Sequence, residues 1–186
     1  MFDLDHFVGG CRAALGTSTP PMEIREVVTR AVTEASAVEA SLGPPRRGGL
    51  FVLHRSPTLT ILNVVWTPGM AIYPHEHRMW AVIGLYRGRE DNTFYRRGAR
   101  GLVAAGAKRL EPRDTVLLGE DVIHAVANPL RQFTAAIHIY GGDFFGRPRS
   151  EWSPDTLAER PFDADRARQV FAAANERWSR DKETCP

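Results

Sequence analysis

Two histidines two residues apart are the first residues in the chain whose types and spacing could do chemistry. His75 and His77 follow the turn-forming residues Pro68, Gly69 and Pro74. If this stretch is extended, the alternation of side chains along a strand places both imidazoles on the same face. Two neutral imidazoles that converge on one point form a typical metal-binding geometry. The spacing therefore predicts part of a metal site.

A third histidine further along the chain can complete this site. His124 enters the short apolar segment Val122–Ala127 directly after a turn that contains Gly119 and Asp121. In an antiparallel barrel, a histidine on this segment could converge with the earlier pair from a different strand. We therefore predict that the metal ligands are His75, His77 and His124.

The region between Leu50 and Phe145 must position these histidines, and its pattern is that of β structure. Short runs rich in Val, Ile, Leu, Thr and aromatic residues are separated by Gly, Pro, Asp and Asn. Short strands at this spacing, with no helical pattern between them, indicate a sandwich or barrel. The predicted strands are Leu50–His54, Leu59–Trp66, Trp80–Tyr86, Thr93–Arg97, Ala107–Leu110, Thr115–Leu118, Val122–Ala127 and Phe133–Tyr140.

Helical patterns flank this β region on both sides. A short helix is expected over Asp3–Leu15, and apolar residues every three or four positions predict a long helix over Met22–Leu42. A further apolar stripe runs from Ala167 to Trp178, with Asp163 as its N-cap. We expect one structural domain, made of N-terminal helices that pack on the barrel in 1–47, the barrel itself in 48–146, and a C-terminal extension and helix in 147–186.

The composition argues against several other functions. The chain has 186 residues, 43% of them hydrophobic and 25% charged, and a formal net charge of +2. That charge is too small to indicate nucleic-acid binding, and there is no signal peptide or apolar run of membrane-spanning length. Cys11 and Cys185 lie near opposite ends, which is typical of a reduced cytoplasmic protein. We expect a cytoplasmic protein that binds neither nucleic acid nor membrane; a homodimer is left open.

The histidine spacings resemble the two sequence motifs of the cupin superfamily. The similarity extends over Leu50–Gly142, and its motif residues are Gly69, His75, His77, His124 and Asn128. This resemblance implies a mainly β fold, the double-stranded β-helix or jelly-roll barrel, here with N-terminal helices and a C-terminal helix.

The first cupin motif normally continues with a glutamate that this chain lacks. Three and four residues after His77 the chain has Trp80 and Ala81. In lacking this glutamate the chain resembles the thiol dioxygenases, which are the cysteine and 3-mercaptopropionate dioxygenase-like enzymes. It also resembles a bacterial subgroup described as predicted metal-dependent double-stranded β-helix enzymes. The resemblance implies Fe(II) held by three histidines, with a small-molecule thiol and O2 as substrates and a sulfinic acid as product. Ala81 falls at or near the place of the crosslinking cysteine of the animal-type enzymes, so no Cys–Tyr cofactor is expected.

The same resemblance gives roles to two residues on a later strand. Ala136, His138 and Tyr140 share one face by strand parity. The family commonly has a Ser-x-His-x-Tyr relay there, which makes His138 and Tyr140 the candidate catalytic residues for orientation and proton handling. Because Ala136 replaces the serine, the outermost hydrogen bond of the relay is expected to be missing or supplied by water. A buried His–Tyr pair with a structural role is the alternative.

Substrate recognition is less well defined by the sequence. The family reads a substrate carboxylate with an Arg or Gln on an early strand, where this chain has His54 and Arg55. Tyr73 and Trp80 flank the histidine pair and are further candidates for substrate binding. Arg55 as a surface charge and Trp80 as a core residue are equally good interpretations. Cysteine itself is not the expected substrate, whereas a thiol-imidazole and a mercapto acid both remain open.

A hairpin turn is expected near Gly88, and two other functions are open. Gly88, Asp91 and Asn92 fit a hairpin turn, with Glu90 as an open candidate for supporting the metal site. The alternatives to a thiol dioxygenase are a cupin metalloenzyme with another reaction, such as a non-thiol oxygenase or an isomerase, and a non-catalytic cupin that binds a small ligand.

Overall fold

Two facing antiparallel β-sheets form the body of the protein in the computed structural model, which describes residues 1–99 and 101–184. The five-stranded sheet has the order β1-β2-β9-β4-β7, and the six-stranded sheet has the order β11-β10-β3-β8-β5-β6. The strands are β1 Gly49–Arg55, β2 Thr60–Trp66, β3 Ala71–Glu76, β4 Ala81–Arg87, β5 Glu90–Gly98, β6 Gly101–Leu110, β7 Thr115–Leu118, β8 Ile123–Ala127, β9 Thr134–Tyr140, β10 Ser150–Trp152 and β11 Glu159–Pro161.

The chain crosses repeatedly between the two sheets. From β3 to β9 it alternates between the six-stranded and the five-stranded sheet, with the long β5–β6 hairpin as the one exception along this stretch. Every pairing within the sheets is antiparallel among the described residues. This strand order is that of a double-stranded β-helix, so the predicted fold class is confirmed.

Strands β2 and β9 of the five-stranded sheet are buried along their whole length. On β2, Leu62 and Val64 face the inside of the barrel, whereas Ile61 and Val65 face the helices outside it. The same alternation on β9 turns Ala136 and Tyr140 inward, and with them His138. Burial on both faces explains why these strands read as continuous apolar runs.

Four helices lie outside the sheets. They are α1 Leu4–Ala14, α2 Pro20–Thr33, α3 Ala35–Leu42 and α4 Ala164–Thr184. The Asp3 side chain caps α1 by accepting a hydrogen bond from the His6 amide at 2.7 Å. The predicted cap of the last helix is also confirmed, because Asp163 accepts from the Asp165 amide at 2.8 Å.

The single helix predicted over Met22–Leu42 is wrong, because α2 and α3 meet at a non-helical residue. Glu34 has φ −95° and ψ 51°, which ends one helix and begins the next. No Gly or Pro marks this point, and the apolar pattern continues across it. Helix α2 packs closely on the barrel at Gly84 of β4, where a Cβ atom would lie 2.3 Å from a methyl carbon of Val28.

The C-terminal extension contributes to the barrel through two short strands that the sequence did not reveal. Strand β10 pairs with β3, with Glu151 opposite His75, and β11 pairs with β10. Helix α4 packs over the barrel opening, where the Phe171 ring stacks on Trp66 with centroids 5.4 Å apart. The extension therefore closes the barrel around the histidines.

No helix among the described residues is both long enough and apolar enough to cross a membrane. Cys11 is fully buried, and Cys185 lies outside the described residues.

Candidate metal centre

The three predicted histidines lie together inside the barrel. His75 belongs to β3 and is the register partner of His124 on β8, while His77 follows directly after β3. Their possible ligand atoms all lie within 4.8 Å of one another, and the Nε2 atoms of His77 and His124 are 3.4 Å apart. All three side chains are buried. This group could hold a metal ion.

Local sequence explains how β3 presents its histidines. Pro74 has no N–H to give to the ladder, and the register between β3 and β8 shifts between Ile72 and His75. Beyond the strand, Arg78 adopts φ 55°, which turns the chain away after His77. The irregular strand end therefore aims both imidazoles into the barrel.

Hydrogen bonds select the tautomer of two of the histidines. The Nδ1 atom of His124 lies 2.7 Å from Asn92 Oδ1, and that of His75 lies 3.1 Å from the Tyr73 carbonyl oxygen. Since both partners are acceptors, each Nδ1 donates its proton and leaves the Nε2 lone pair free. Such a second hydrogen bond is a usual companion of a metal-binding histidine.

Burial keeps the three imidazoles in the neutral form that binds metals. It lowers the pKa of His75 to about 4, an effect that the Tyr73 hydrogen bond partly offsets. Burial also lowers the pKa of His77 and of His124 well below the usual value, helped by the neighbouring histidines. The donor set, three neutral imidazole nitrogens, suits divalent iron as well as zinc, copper or nickel.

A fully buried carboxylate connects these ligands with the opposite sheet. Glu90 accepts hydrogen bonds from Trp66 Nε1 at 2.8 Å and from Asn92 Nδ2 at 3.0 Å, and its Oε2 lies 3.6 Å from His138 Nε2. Burial raises the pKa of Glu90, but His138 and these donors outweigh it and hold the pKa below the usual value. Glu90 is therefore ionised at neutral pH.

The predicted position of the hairpin turn near Glu90 is wrong. Asp91 and Asn92 were expected in a hairpin turn, but they belong to β5, and the turn lies at Gly88 with φ 78°. Because β5 starts at Glu90, strand alternation points Glu90 and Asn92 inward and Asp91 outward. The inward pair contacts the candidate ligand His124, through Asn92, and approaches His138, through Glu90.

The relay of His138 and Tyr140 is present, and Glu90 occupies its outer end. His138 Nδ1 lies 3.0 Å from the Tyr140 hydroxyl. Its Nε2 faces Glu90 at a distance longer than a hydrogen bond and has no other partner. Since a carboxylate only accepts, we assign the proton to Nε2, so that Nδ1 accepts from Tyr140. The outermost hydrogen bond of the relay is thus missing, as expected from Ala136, and the ionised carboxylate of Glu90 lies just beyond hydrogen-bond distance in its place.

A small inner cavity joins the histidines to the relay. Its volume is about 40 Å³, and its polar lining consists of His75, His77, His124, His138 and Tyr140. The rest of the lining is apolar: Leu50, Val64, Trp66, Ile72, Val126, Phe144, Phe162, Ala167 and Phe171. Both candidate catalytic residues thus face the same space as the three candidate ligands.

One buried residue beside this cavity was missed by the sequence analysis. The Arg149 side chain is packed between two rings, with its guanidinium carbon 4.3 Å from the Phe144 centroid and 3.8 Å from that of Phe162. Its Nη1 donates to the Phe144 carbonyl oxygen at 2.6 Å, and its Nε has no partner. Burial lowers its pKa to about 10, so it remains charged.

No described carboxylate forms an ion pair with Arg149. Glu151, whose charge raises the pKa of Arg149, is paired with Arg160 and Arg166 instead. Nothing in the sequence distinguishes Arg149 from the other arginines, because it belongs to no motif and stands at no characteristic distance from the histidines. A buried guanidinium without a counter-ion is a candidate anion-binding group.

Two of the candidate substrate residues lie on the first strand and outside the inner cavity. His54 is half-buried on β1 and is not part of the cavity lining. Arg55 is exposed and makes a bidentate contact with Asp143, with both nitrogen–oxygen distances at 2.8 Å. Arg55 is therefore a surface charge, as the alternative interpretation had it.

The other two candidate substrate residues also lie outside the inner cavity. Trp80 packs against the hydrophobic cluster between the helices and the five-stranded sheet. Its indole approaches Gly141 so closely that a Cβ on Gly141 would lie 2.1 Å from an indole carbon. Tyr73 is buried, and its backbone carbonyl rather than its ring contacts a candidate ligand, His75. Neither side chain lines the inner cavity.

We expect the substitution His124→Ala to abolish stoichiometric metal binding, because it removes one of three converging nitrogen donors. Metal content after anaerobic Fe(II) loading and desalting measures this effect. His6→Ala, which removes an exposed histidine of α1, should bind as the unaltered protein does. Iron occupancy that survives in the His124 variant would show that the ligand assignment is wrong.

We expect Glu90→Gln to weaken metal affinity about 10- to 100-fold, because the amide no longer fixes Asn92 and, through it, His124. The same change should lower the free energy of unfolding of the metal-free protein by about 1–3 kcal/mol, since a buried donor loses its acceptor. Metal titration and urea unfolding measure the two effects. The exposed residue Glu26 supplies the control Glu26→Gln, and equal metal affinities in both variants would contradict the prediction.

Comparisons with known proteins agree in the kind of fold that they find. No family model matches the sequence. An RmlC-like cupin family protein with a double-stranded β-helix fold from Methanocaldococcus jannaschii is 10% identical, with a TM-score of 0.46 over 55% of this chain and 86% of that one. A cupin superfamily protein from Desulfitobacterium hafniense is 20% identical, with a TM-score of 0.45 over 56% and 87%. The DMSP lyase DddQ from Ruegeria pomeroyi is 19% identical, with a TM-score of 0.42 over 52% and 48%. The first two neighbours are described as cupin proteins, and the likeness of all three concerns the fold alone.

Proposed function

We propose that the protein is a non-haem iron dioxygenase that oxidises a small thiol bearing a carboxylate to a sulfinic acid with O2. The observation that carries this proposal is the pairing of three neutral histidine donors with a buried, unpaired arginine beside the same cavity. The first feature fits a divalent metal, and the second fits an anionic group on the substrate.

Fe(II) would be held by His75, His77 and His124 through their Nε2 atoms. Because all three donors are neutral, they would leave the double positive charge of the ion uncompensated, which favours an anionic thiolate over a neutral substrate. When bound, iron would supply the redox chemistry that adds both oxygen atoms of O2 to the thiol sulfur. The overall reaction is then RSH + O2 → RSO2H, which needs no further reductant.

Arg149 would bind the carboxylate of the substrate. A guanidinium has five N–H donors, and Arg149 uses only Nη1 in hydrogen bonds to the carbonyl oxygens of Phe144 and Arg147. The rings on either side of it, Phe144 and Phe162, also line the inner cavity. A mercapto acid therefore fits better than a thiol-imidazole, since its carboxylate would supply the missing counter-ion.

The Tyr140 hydroxyl and His138 would handle the proton of the substrate thiol. Burial raises the pKa of Tyr140, so its hydroxyl stays protonated, donates to His138 Nδ1 and can accept a hydrogen bond from a thiol in the cavity. A thiol proton can pass to Tyr140 while the tyrosine gives its own proton to His138 Nδ1. The carboxylate of Glu90, 3.6 Å from the opposite nitrogen, would stabilise the resulting imidazolium.

The apolar walls of the cavity would exclude water during this chemistry. Apart from the histidines and Tyr140, every residue that lines the inner cavity is apolar. A low-dielectric surrounding strengthens the attraction between the substrate anion and the charged groups that hold it.

We expect the protein loaded anaerobically with Fe(II) to consume O2 when 3-mercaptopropionate is added and to form one sulfinate per O2 consumed. An oxygen electrode and mass spectrometry of the product measure the two quantities. A panel of cysteine, cysteamine, 2-mercaptoethanol and a thiol-imidazole serves as comparison. Stoichiometric iron without thiol-dependent oxygen uptake across the panel would overturn the proposal and favour a cupin with another reaction.

We expect Arg149→Gln to raise the KM for 3-mercaptopropionate about 10- to 100-fold, because a charge-assisted hydrogen bond contributes about 1.5–3 kcal/mol. The KM for 2-mercaptoethanol, which has no carboxylate, should change little. Initial rates with both thiols and the same iron-loaded variant provide the measurement. An equal effect on both thiols would mean that Arg149 supports the packing of Phe144 and Phe162 rather than the substrate carboxylate.

A further inference from the structure

We propose that a large outer cleft beside the inner cavity binds the distal end of the substrate, and that the substrate is an elongated thiol acid with a second anionic group. This proposal rests on the proposed function and specifies its substrate class. The cleft has a volume of about 780 Å³, against about 40 Å³ for the inner cavity. Its size falls within the usual range for sites that bind molecules well beyond a few atoms in length.

The cleft and the inner cavity share one wall. Five apolar residues line both spaces: Leu50, Phe144, Phe162, Ala167 and Phe171. The side chains that lie between a ligand in the cleft and the histidines are therefore apolar. Arg149 lies in the lining of the cleft beside this wall, which places the first anionic group near the thiol end.

Positive charge is concentrated at the cleft in a way that the whole chain does not show. The chain has 24 Lys and Arg against 22 Asp and Glu, yet no Asp or Glu belongs to the lining. The charged residues of the lining are Arg47, Arg147, Arg149 and Arg168. They come from the approach to β1, from the loop before β10 and from α4, so the positive charge surrounds the cleft.

Two of these arginines are available for a ligand. Arg168 is paired with Asp165. Arg147 donates its Nε to the Arg78 carbonyl oxygen, and Arg47 lies 5.8 Å from the Phe51 ring, while neither has a carboxylate partner among the described residues. Both are exposed at the rim, which makes them the candidate partners of the second anionic group.

The cleft also has exposed apolar residues in its lining. Val52 and Phe145, with 52% and 42% of their surface exposed, both line the cleft. Exposed apolar residues beside unpaired cations suit a ligand with a hydrocarbon body and charged ends. The site thus assigns three parts of the substrate: the thiol in the inner cavity, a carboxylate at Arg149, and a second carboxylate or phosphate at Arg47 and Arg147.

Titration of metal-free protein with octanedioate and with octanoate tests the cleft without any turnover. The two probes share a hydrocarbon chain and differ in the second carboxylate. Isothermal titration calorimetry should give an affinity about tenfold higher for octanedioate, as expected for contacts with two partly exposed cations. In the double variant Arg47→Gln, Arg147→Gln that preference should disappear, while the affinity for octanoate stays unchanged.

Arg96→Gln is the control. It is the same Arg-to-Gln substitution as in the double variant, but Arg96 is an exposed arginine of β5 outside the cleft. It should keep the preference for octanedioate. Equal affinities for the two probes, or a double variant that keeps the preference while its thermal unfolding is unchanged, would overturn the proposal. Since the titration needs neither iron nor O2, its failure is separate from a failure of thiol oxidation.

Discussion

The buried charge of Glu90 is the constraint on which both halves of the site depend. A carboxylate without solvent must receive hydrogen bonds, and it can only accept them. Asn92 therefore turns its amide nitrogen to Glu90 and its oxygen to His124, which fixes the donor and acceptor nitrogens of that histidine. On the other side, His138 turns its protonated Nε2 to Glu90 and its Nδ1 to Tyr140. One ionised group thus sets the proton positions of a candidate ligand and of the relay opposite.

The two-sheet architecture makes this arrangement available. His75, His124, Asn92 and Glu90 belong to the six-stranded sheet, whereas Trp66, His138 and Tyr140 belong to the five-stranded one. Inward positions of both sheets meet across the barrel, so a carboxylate at the first residue of β5 can contact residues of β2 and β9. Helix α4 then covers the opening through the stacking of Phe171 on Trp66, the same tryptophan that donates to Glu90.

Local sequence carried part of this site, and its limits have physical causes. The side-chain period of two, together with turn residues, was sufficient to place His75 and His77 on one face and to locate eight strands of the barrel, whereas β10 and β11 were not recognised. Asn92 was missed, and Glu90 was no more than an open candidate, because a short polar stretch beside Gly88 fits a turn as well as a strand, and only pairing with β8 decides between them. Arg149 gave no signal because its role depends on the two rings that enclose it and on the absence of a carboxylate, and both are properties of packing.

The proposal of an anionic thiol as substrate rests on the charges at the site. A divalent ion on three neutral imidazoles would bring two positive charges into an apolar chamber, Arg149 brings a third, and Glu90 offsets only one of them. Uncompensated charge in a low-dielectric interior is costly, so the chamber favours a ligand that supplies the balance. The proposed thiol acid would do so with its sulfur at the metal and its carboxylate at Arg149. A neutral substrate would leave both partners unsatisfied, so the same electrostatics that favour binding of the thiol acid also select against other ligands.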